Sequence, residues 1–394
     1  MGLLSNLRGS NLYFNIFVGL IIITVWLYTT SIFSLGPYHG TQKPNLRLDK
    51  DASFKIAIFS DLHYGEEEHG WGIDQDIKST RVMDAIVDYE IPDFVVFDGD
   101  LITGENTFRE NSSSYIDVIT KSLVDRNVPW ASTYGNHDSK FNLSREAIFA
   151  EESKFSLSYT QHSPVNLPGV SNYYLPIYPP KTLSDGHTPV AILWFFDSRG
   201  GAKYQEQPAD IDSIPNWVDP VVVSWFRDEQ SKLRERYGKD LPSLAFVHIP
   251  VSAFLNLQNS ADMVSEHFPG LNADFPLAFQ GDNGEDQEFM QALVDTPKLH
   301  SIYSGHDHGD SWCGNWPNSA NISAGVSRPH LCFCKHTGYG GYGTWNRGSR
   351  IIKLNFEEDM DVHTWVRMEN GAVITRVHLN NTYGTDIYPT TDGE

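Results

Sequence analysis

Five apolar segments of this chain are each followed within three residues by aspartate, asparagine or histidine. They are residues 55–59, 94–97, 130–133, 244–247 and 299–303, and each is typical of a buried strand. The polar residues that follow them are Asp61, His63, Asp98, Asp100, Asn136, His137, Asp138, His248, His306 and His308. Ligands gather at the carboxyl ends of strands in open α/β sheets. The sequence therefore predicts one cluster of carboxylates and imidazoles at a single edge.

The rest of the chain alternates between helix-like and strand-like segments. Helices are predicted over 77–89, 115–124, 143–155, 221–237 and 285–294, with Asn142 as the N-cap of the third. Further strands are predicted over 190–196, 351–356 and 372–379. The alternation favours an α/β fold, and the late strands indicate that a second sheet joins it.

The clustered residue types are those of a two-metal site. Carboxylate oxygen and imidazole nitrogen suit divalent Zn, Mn or Fe, and a carboxylate can bridge two ions about 3.5–4 Å apart. In an extended segment, residues two apart point the same way. Asp61 and His63 can therefore reach one ion together, and so can His306 and His308 if their loop is extended.

Charge limits the partners. Asp and Glu number 50 against 29 Lys and Arg, which gives a formal net charge of −21. Such a chain repels polyanions, and it contains no basic run, so nucleic acid is excluded as a partner. Residues 66–68 are all glutamate and follow the first ligands. They form either a solvated loop or an acidic rim that disfavours highly anionic substrates.

The motifs D-x-H, G-D, G-N-H-D, a lone histidine after a strand, and G-H-x-H, in this order, resemble the calcineurin-like metallophosphoesterase superfamily over residues 55–356. The segments DGDLITGENT, TYGNHDSKFNLSR and GVSNYYLP resemble fungal secreted or membrane-anchored members related to purple-acid-phosphatase-like proteins and Dcr2-type phosphatases. The resemblance implies a two-sheet β sandwich flanked by helices, a four-layer α-β-β-α fold, here assigned to residues 54–380.

The resemblance also implies roles for individual residues. The first metal ion would be held by Asp61, His63 and His308, the second by Asn136, His248 and His306, and both by Asp100. His137 would lie near the leaving-group oxygen. Purple acid phosphatases carry a tyrosine ligand to Fe(III) where this chain has Thr103, so a pair of ordinary divalent ions is expected.

Several neighbouring residues are candidates for supporting roles. Asp138 is a candidate for orienting His137. Asn136 and His137 are expected to contact the substrate. Arg145 is a candidate phosphate contact, with a solvated helix arginine as the alternative. Tyr339, in the glycine-rich stretch 336–348, is a candidate contact for the organic part of the substrate.

The expected function is hydrolysis of phosphomonoesters by attack of a metal-bridging hydroxide. One alternative is a phosphodiesterase acting on nucleotides, lipid headgroups or glycan-linked phosphate. Another is a non-catalytic scaffold on the same fold, although all seven ligand positions are filled and His137 is present.

The N-terminus predicts the compartment. Residues 14–28 are almost wholly apolar and 11–35 carry no charge, which favours an uncleaved signal-anchor over a cleaved signal peptide or a buried helix. Sequons at Asn111, Asn142, Asn321 and Asn380 agree with a lumenal, extracellular or secreted catalytic region. The predicted layout is a signal segment (1–36), a linker (37–53), the catalytic domain (54–380) and a tail (381–394).

Cys313 can pair with Cys332 or Cys334.

Overall fold

The computed structural model describes residues 43–108, 112–181, 187–208, 211–271, 277–316, 328–389 and 391. The strands in these ranges are β1 (Leu46–Arg47), β2 (Ser53–Phe59), β3 (Phe94–Asp98), β4 (Trp130–Thr133), β5 (Tyr173–Tyr178), β6 (Ala191–Phe196), β7 (Ser243–Val247), β8 (Leu299–Ser304), β9 (Cys313–Asn315), β10 (His330–Phe333), β11 (Gly348–Asn355), β12 (Asp361–Met368) and β13 (Val373–His378). The helices are α1 (Trp71–Glu90), α2 (Tyr115–Arg126), α3 (Arg145–Glu152), α4 (Pro220–Tyr237), α5 (Ser252–Gln258) and α6 (Gln287–Asp295).

The strands form two mixed sheets. One has six strands in the order β13-β12-β11-β2-β3-β4, and the other has seven in the order β1-β5-β6-β7-β8-β10-β9. Strands β2, β3 and β4 are parallel, as are β6, β7 and β8. Each sheet therefore contributes a set of parallel strands whose carboxyl ends share an edge. The predicted α/β fold with two sheets and flanking helices is confirmed.

Side-chain alternation in β2 shows how the layers pack. Ile56 and Ile58 point into the core that contains the seven-stranded sheet, whereas Ala57 and Phe59 pack in a second core with Val82 of α1. The side chains of these four β2 residues are fully buried. A strand that is buried on both faces has a continuous run of apolar residues, and this run is what predicts β2 from the sequence.

Some local predictions are wrong. The N-cap of α3 is Ser144, whose side chain accepts a hydrogen bond from the Ala147 amide at 3.2 Å. Asn142 instead donates its side-chain amide to the Thr107 carbonyl. Helix α1 begins at Trp71, well before the predicted start, and Trp71 and Ile73 are half exposed. The apolar periodicity that predicts helices does not extend to these exposed positions.

The structure leaves most of the predictions about the N-terminal segment and the glycosylation sites untested. The apolar segment 14–28, Asn111 and Asn321 lie outside the described residues. Within the described ranges, no helix has both the length and the apolar character needed to cross a membrane. Asn380 is half-buried and its side chain is hydrogen-bonded locally. Cys313 pairs with Cys332 across β9 and β10, and Cys334 is a buried free thiol.

A buried arginine joins the two sheets. Arg350 of β11 is fully buried; its Nε donates to the Phe333 carbonyl of the other sheet at 2.6 Å, and its Nη1 donates to Thr364 Oγ1 at 3.0 Å. Its Nη2 donates to the Ser311 carbonyl. One guanidinium therefore satisfies acceptors from both sheets.

Replacing Arg350 with methionine should destabilise the protein, because it leaves buried carbonyl oxygens without donors. We expect a loss of at least about 3 kcal/mol in the free energy of unfolding, measured by urea denaturation. The matched control is Arg81→Met on the exposed face of α1. Equal stability of the two variants would contradict this role.

Candidate metal centre

The polar residues predicted at the strand ends converge at the shared edge of the two sheets. Asp61 and His63 follow β2, Asp100 follows β3, and Asn136 and His137 follow β4. His248 follows β7, and His306 and His308 follow β8. Two groups have their potential ligand atoms within 4.8 Å of one another: Asp61 with His63 and His308, and Asp100 with His248 and His306.

Asp100 lies between these groups. Its Oδ2 is 3.0 Å from His248 Nε2 and 3.8 Å from His63 Nε2, so it reaches a histidine of each group. Its Oδ1 accepts the backbone amide of His137 at 2.8 Å. Asp61 lies 3.7 Å from His308 and 3.9 Å from His248, measured from Oδ1 to Nε2. This arrangement suits a carboxylate that bridges two cations.

Two buried ligand atoms lack a hydrogen-bond partner. Asn136 is 8% exposed, and its Oδ1 has no partner among the described residues; the same holds for Nε2 of His63, which is 4% exposed. Buried polar atoms are normally satisfied by protein, water or an ion. Together with a donor set of imidazole nitrogens and carboxylate oxygens, these orphaned atoms fit divalent cations.

The imidazoles are oriented by hydrogen bonds at their outer nitrogens. Nδ1 of His248 donates to the Asp98 carbonyl and Nδ1 of His308 to the Tyr342 carbonyl, both at 2.7 Å. Nδ1 of His63 lies 3.1 Å from Thr103 Oγ1. Each contact leaves Nε2 as the ligand atom, in the manner typical of metal-binding histidines. Thr103 thus supports His63 from the position where purple acid phosphatases have a tyrosine.

The backbone at the centre is held in an unusual conformation. Asp61, His63, Asp100 and His306 all have left-handed φ angles, between 50° and 73°. Such conformations cost about 1–3 kcal/mol each and persist at functional sites where the surroundings enforce them. Gly99 has a φ of 86°, and a Cβ there would lie 2.4 Å from Nδ1 of His248. The turn between Asp98 and Asp100 therefore requires glycine.

Burial and neighbouring charges shift the pKa values of the side chains at the centre. Burial raises the pKa of Asp61 to about 6, although the charge of His248 opposes it. Burial also acts to raise the pKa of Asp100, but the neighbouring histidines outweigh it and hold that pKa well below its usual range. Burial lowers the pKa of His63 to about 4 and of His306 to about 3. Neutral imidazoles at His63 and His306 beside the ionised Asp100 are the protonation states that bind a cation. His248 differs: burial lowers its pKa, but the charge of Asp100 and the hydrogen bond to it outweigh burial and raise the pKa to about 10.

The partner of His137 is a residue that the sequence did not indicate. Nδ1 of His137 lies 2.7 Å from Glu105 Oε1. Burial lowers the pKa of His137, but the charges of Asp100 and Glu105 and the Glu105 hydrogen bond outweigh it and raise the pKa to about 9. Glu105 lies five positions after Asp100 in the same loop. This spacing belongs to none of the motifs that the sequence contains, so nothing in the sequence indicated a role for Glu105.

The predicted role of Asp138 is wrong. Its carboxylate is fully buried and points away from the histidine ring, accepting the backbone amides of Leu101, Ile102 and Gly135 at 2.8–3.1 Å. These bonds tie the loop after β3 to the loop after β4. Asp138 therefore positions Asp100 and Asn136 through the backbone.

Two predicted substrate contacts are also placed elsewhere. Arg145 is 5% exposed and donates to the carbonyls of Gly135 and Gly200, at 2.7 and 3.0 Å. Tyr339 donates its hydroxyl to Glu369 at 2.8 Å. Neither lines the pocket, because both side chains are engaged behind it; the tyrosine at the pocket is Tyr342, whose hydroxyl accepts the His308 amide at 3.0 Å.

A cavity of about 640 Å³ opens over the centre. Its lining consists of ligand candidates, the residues around His137, and parts of three other loops: His63, Glu66, Asp100, Thr103, Glu105, Asn106, His137, Ala278, His306, Asp307, His308, Gly341 and Tyr342. Its size suits a small ligand.

Comparison with known proteins identifies the fold and the family. The family model described as calcineurin-like phosphoesterase matches residues 54–310. The chain is 24% identical to "probable inactive purple acid phosphatase 14" of Arabidopsis thaliana, over 90% of this chain and 88% of that protein. It is 28% identical to "phosphatase DCR2" of Saccharomyces cerevisiae, over 84% of this chain and 56% of that protein.

A solved structure, a dimetal phosphatase from Danio rerio, superposes with a TM-score of 0.50 at 14% identity and covers 83% of this chain and 99% of that one. This likeness shows the fold. The resemblance that the motifs indicated is confirmed, and since the family model covers well over half of the sequence, the chain belongs to the calcineurin-like phosphoesterase family.

Proposed function

We propose that this protein is a phosphomonoesterase that works with two divalent metal ions. The observation that carries the proposal is the position of Asp100 between two histidine-containing groups, next to the loop of His137. Asp61, His63 and His308 would hold one ion and Asn136, His248 and His306 the other, with Asp100 shared. Two such ions supply neutralisation of charge on the phosphate oxygens and a lowered pKa for water.

His137 is the proposed general acid. Its raised pKa keeps both ring nitrogens protonated at neutral pH, and Glu105 holds Nδ1, so Nε2 presents the proton. As the oxygen of water bonds to phosphorus and the ester P–O bond breaks, the leaving oxygen takes the proton from Nε2. Glu105 acts through His137 by fixing its ring and favouring its charged form.

The proposal that this protein is active is based on its own residues, because the names of its relatives disagree about activity. The yeast relative is named a phosphatase, whereas the plant relatives are named probable inactive purple acid phosphatases. In this chain all seven proposed ligands and His137 are present, and those that are aspartate or histidine fall into groups whose potential ligand atoms lie within 4.8 Å of one another. Hydrolysis of a bis-ester in preference to the monoester would assign a phosphodiesterase, and bound metal without turnover would assign a scaffold.

Metal content tests the bridging residue. Asp100→Asn keeps the shape of the side chain and removes the charge shared by both groups, so we expect fewer than one ion per chain. The matched control is Asp98→Asn in the same turn, whose carboxyl is fully buried and has a pKa that burial raises well above the usual range. Elemental analysis after dialysis should find two ions in the control; two ions in Asp100→Asn would rule out a bridging role.

Leaving-group dependence tests His137 and Glu105. His137→Asn should lower kcat on ethyl phosphate by at least about 100-fold, because its alkoxide leaves poorly without a proton. The loss on p-nitrophenyl phosphate should be much smaller, with metal content unchanged. Glu105→Gln should show the same pattern to a lesser extent. The control is His162→Asn at an exposed site, and equal losses on both esters would contradict the assignment.

We also propose that the protein enters the secretory pathway through residues 14–28, with the catalytic domain in the lumen or outside the cell. The proposal is supported by the uncharged stretch 11–35 and the four sequons. Protein from its native cells should gain mobility on gels after treatment with an endoglycosidase, and Asn→Gln changes at all four sequons should abolish the shift. A chain without glycans that is found in the cytosol would contradict this location.

A further inference from the structure

The pocket over the metal centre has an unusual charge. Four of its lining residues carry carboxylates, namely Glu66, Asp100, Glu105 and Asp307, and none of its lining residues is lysine or arginine. Asp100 belongs to the metal site, and Glu105 binds His137. Glu66 has neither role. A phosphate-binding pocket that offers an extra carboxylate to the substrate calls for an explanation.

Glu66 lies close to the centre. Its Oε2 accepts the backbone amide of Gly341 at 3.1 Å. Gly341 has a φ of 72°, and a Cβ there would lie 2.5 Å from His308 Cε1 and 2.8 Å from His63 Cδ2. The Glu66 carboxylate is therefore separated from two proposed metal ligands by a single backbone segment.

The charge of Glu66 is offset only at a distance, by the charge of His137. Among the described residues it forms no ion pair with lysine or arginine, and burial raises its pKa. His137 and Glu105 are both near enough to act on it electrostatically. Glu66 thus faces the side of the pocket from which His137 would protonate the leaving group.

Unpartnered atoms beside Glu66 point to a bound ligand. Glu105 uses Oε1 for His137, while its buried Oε2 has no hydrogen-bond partner in the described part of the chain. His63, almost fully buried and lining the same pocket, presents an unpartnered Nε2. Beside the proposed metal ligands, the pocket is therefore lined by a carboxylate whose Oε1 contacts His137 and lies 3.7 Å from Lys140 Nζ, while its Oε2 has no hydrogen-bond partner among the described residues.

We propose that Glu66 and Glu105 form a subsite that binds a positively charged or hydrogen-bond-donating leaving group, so that the preferred substrates are phosphate esters of amino alcohols. This inference rests on the proposed phosphoesterase function. An ammonium group in the subsite gains a counter-ion in Glu66 and lies beside the Glu105 carboxylate. Leaving groups that bear further phosphates or carboxylates meet two carboxylates and no lysine or arginine in the pocket lining, and are disfavoured.

Three phosphonates of similar size test the subsite, since their C–P bond resists hydrolysis. They are 2-aminoethylphosphonate, propylphosphonate and 3-phosphonopropionate, which end in an ammonium, a methyl and a carboxylate group. With the metal-loaded protein, calorimetry at neutral pH should show the ammonium compound binding about fivefold more tightly than the propyl compound, the scale of one solvent-accessible ion pair. The carboxylate compound should bind more weakly than either.

Glu66→Gln should remove most of this preference and bring the ammonium and propyl compounds to within about twofold of each other, because the charge is lost while the Gly341 hydrogen bond can remain. The matched control is Glu67→Gln, in the same loop but outside the pocket lining, where Oε1 accepts the His69 amide at 3.0 Å. This control should keep the preference.

The outcomes separate this inference from the function beneath it. Equal binding of all three phosphonates by an enzyme that hydrolyses p-nitrophenyl phosphate overturns the subsite alone. A preference that survives Glu66→Gln overturns the role of Glu66. Failure to bind any phosphonate, together with no ester hydrolysis, overturns the proposed function and the subsite with it.

Discussion

The burial of two carboxylates at the junction of the sheets is the constraint that organises this protein. Asp61 is fully buried and Asp100 nearly so, and a buried charge is costly unless it is paired or binds a cation. The imidazoles around them meet this need in part, and their neutral nitrogens are suited to cations. The left-handed turns after β2, β3 and β8 follow from the same constraint, because only those turns bring the side chains to one point.

Much of this arrangement could be predicted from the sequence. The central strands are buried on both faces, so they read as apolar runs, and the ligands follow directly where those runs end. Parallel strands of one sheet end at one edge, so the convergence of Asp61 and Asp100 follows from topology. His248 follows a strand of the other sheet, and its approach depends on how the two sheets pack. The pairing of Cys313 remained open, because its possible partners Cys332 and Cys334 are two positions apart and residues two apart in a strand point the same way.

The supporting contacts could not be predicted, because they depend on side-chain direction. Asp138 is adjacent to His137 in sequence, yet successive residues point to different sides, and the histidine meets Glu105 from another loop. Arg145 was a candidate phosphate contact, with a solvated helix arginine as the alternative, but its guanidinium donates to the Gly135 carbonyl. In each case the contact joins segments whose relative placement only the folded chain determines.

The two sheets contribute different residues to the proposed metal centre. The loops of the six-stranded sheet contribute Asp61, His63, Asp100, Asn136 and the proposed general acid His137, and those of the seven-stranded sheet contribute the remaining histidines of the proposed site. Neither sheet alone contains a complete ligand group. Links between the sheets, such as Arg350, therefore support the geometry of the centre as well as the stability of the fold.

Anomalous diffraction from crystals grown with Mn²⁺ or Zn²⁺ tests the central claim most directly. The account predicts two peaks about 3.5–4 Å apart, one on each side of the Asp100 carboxylate. A single peak, or two peaks that do not share Asp100, would contradict it.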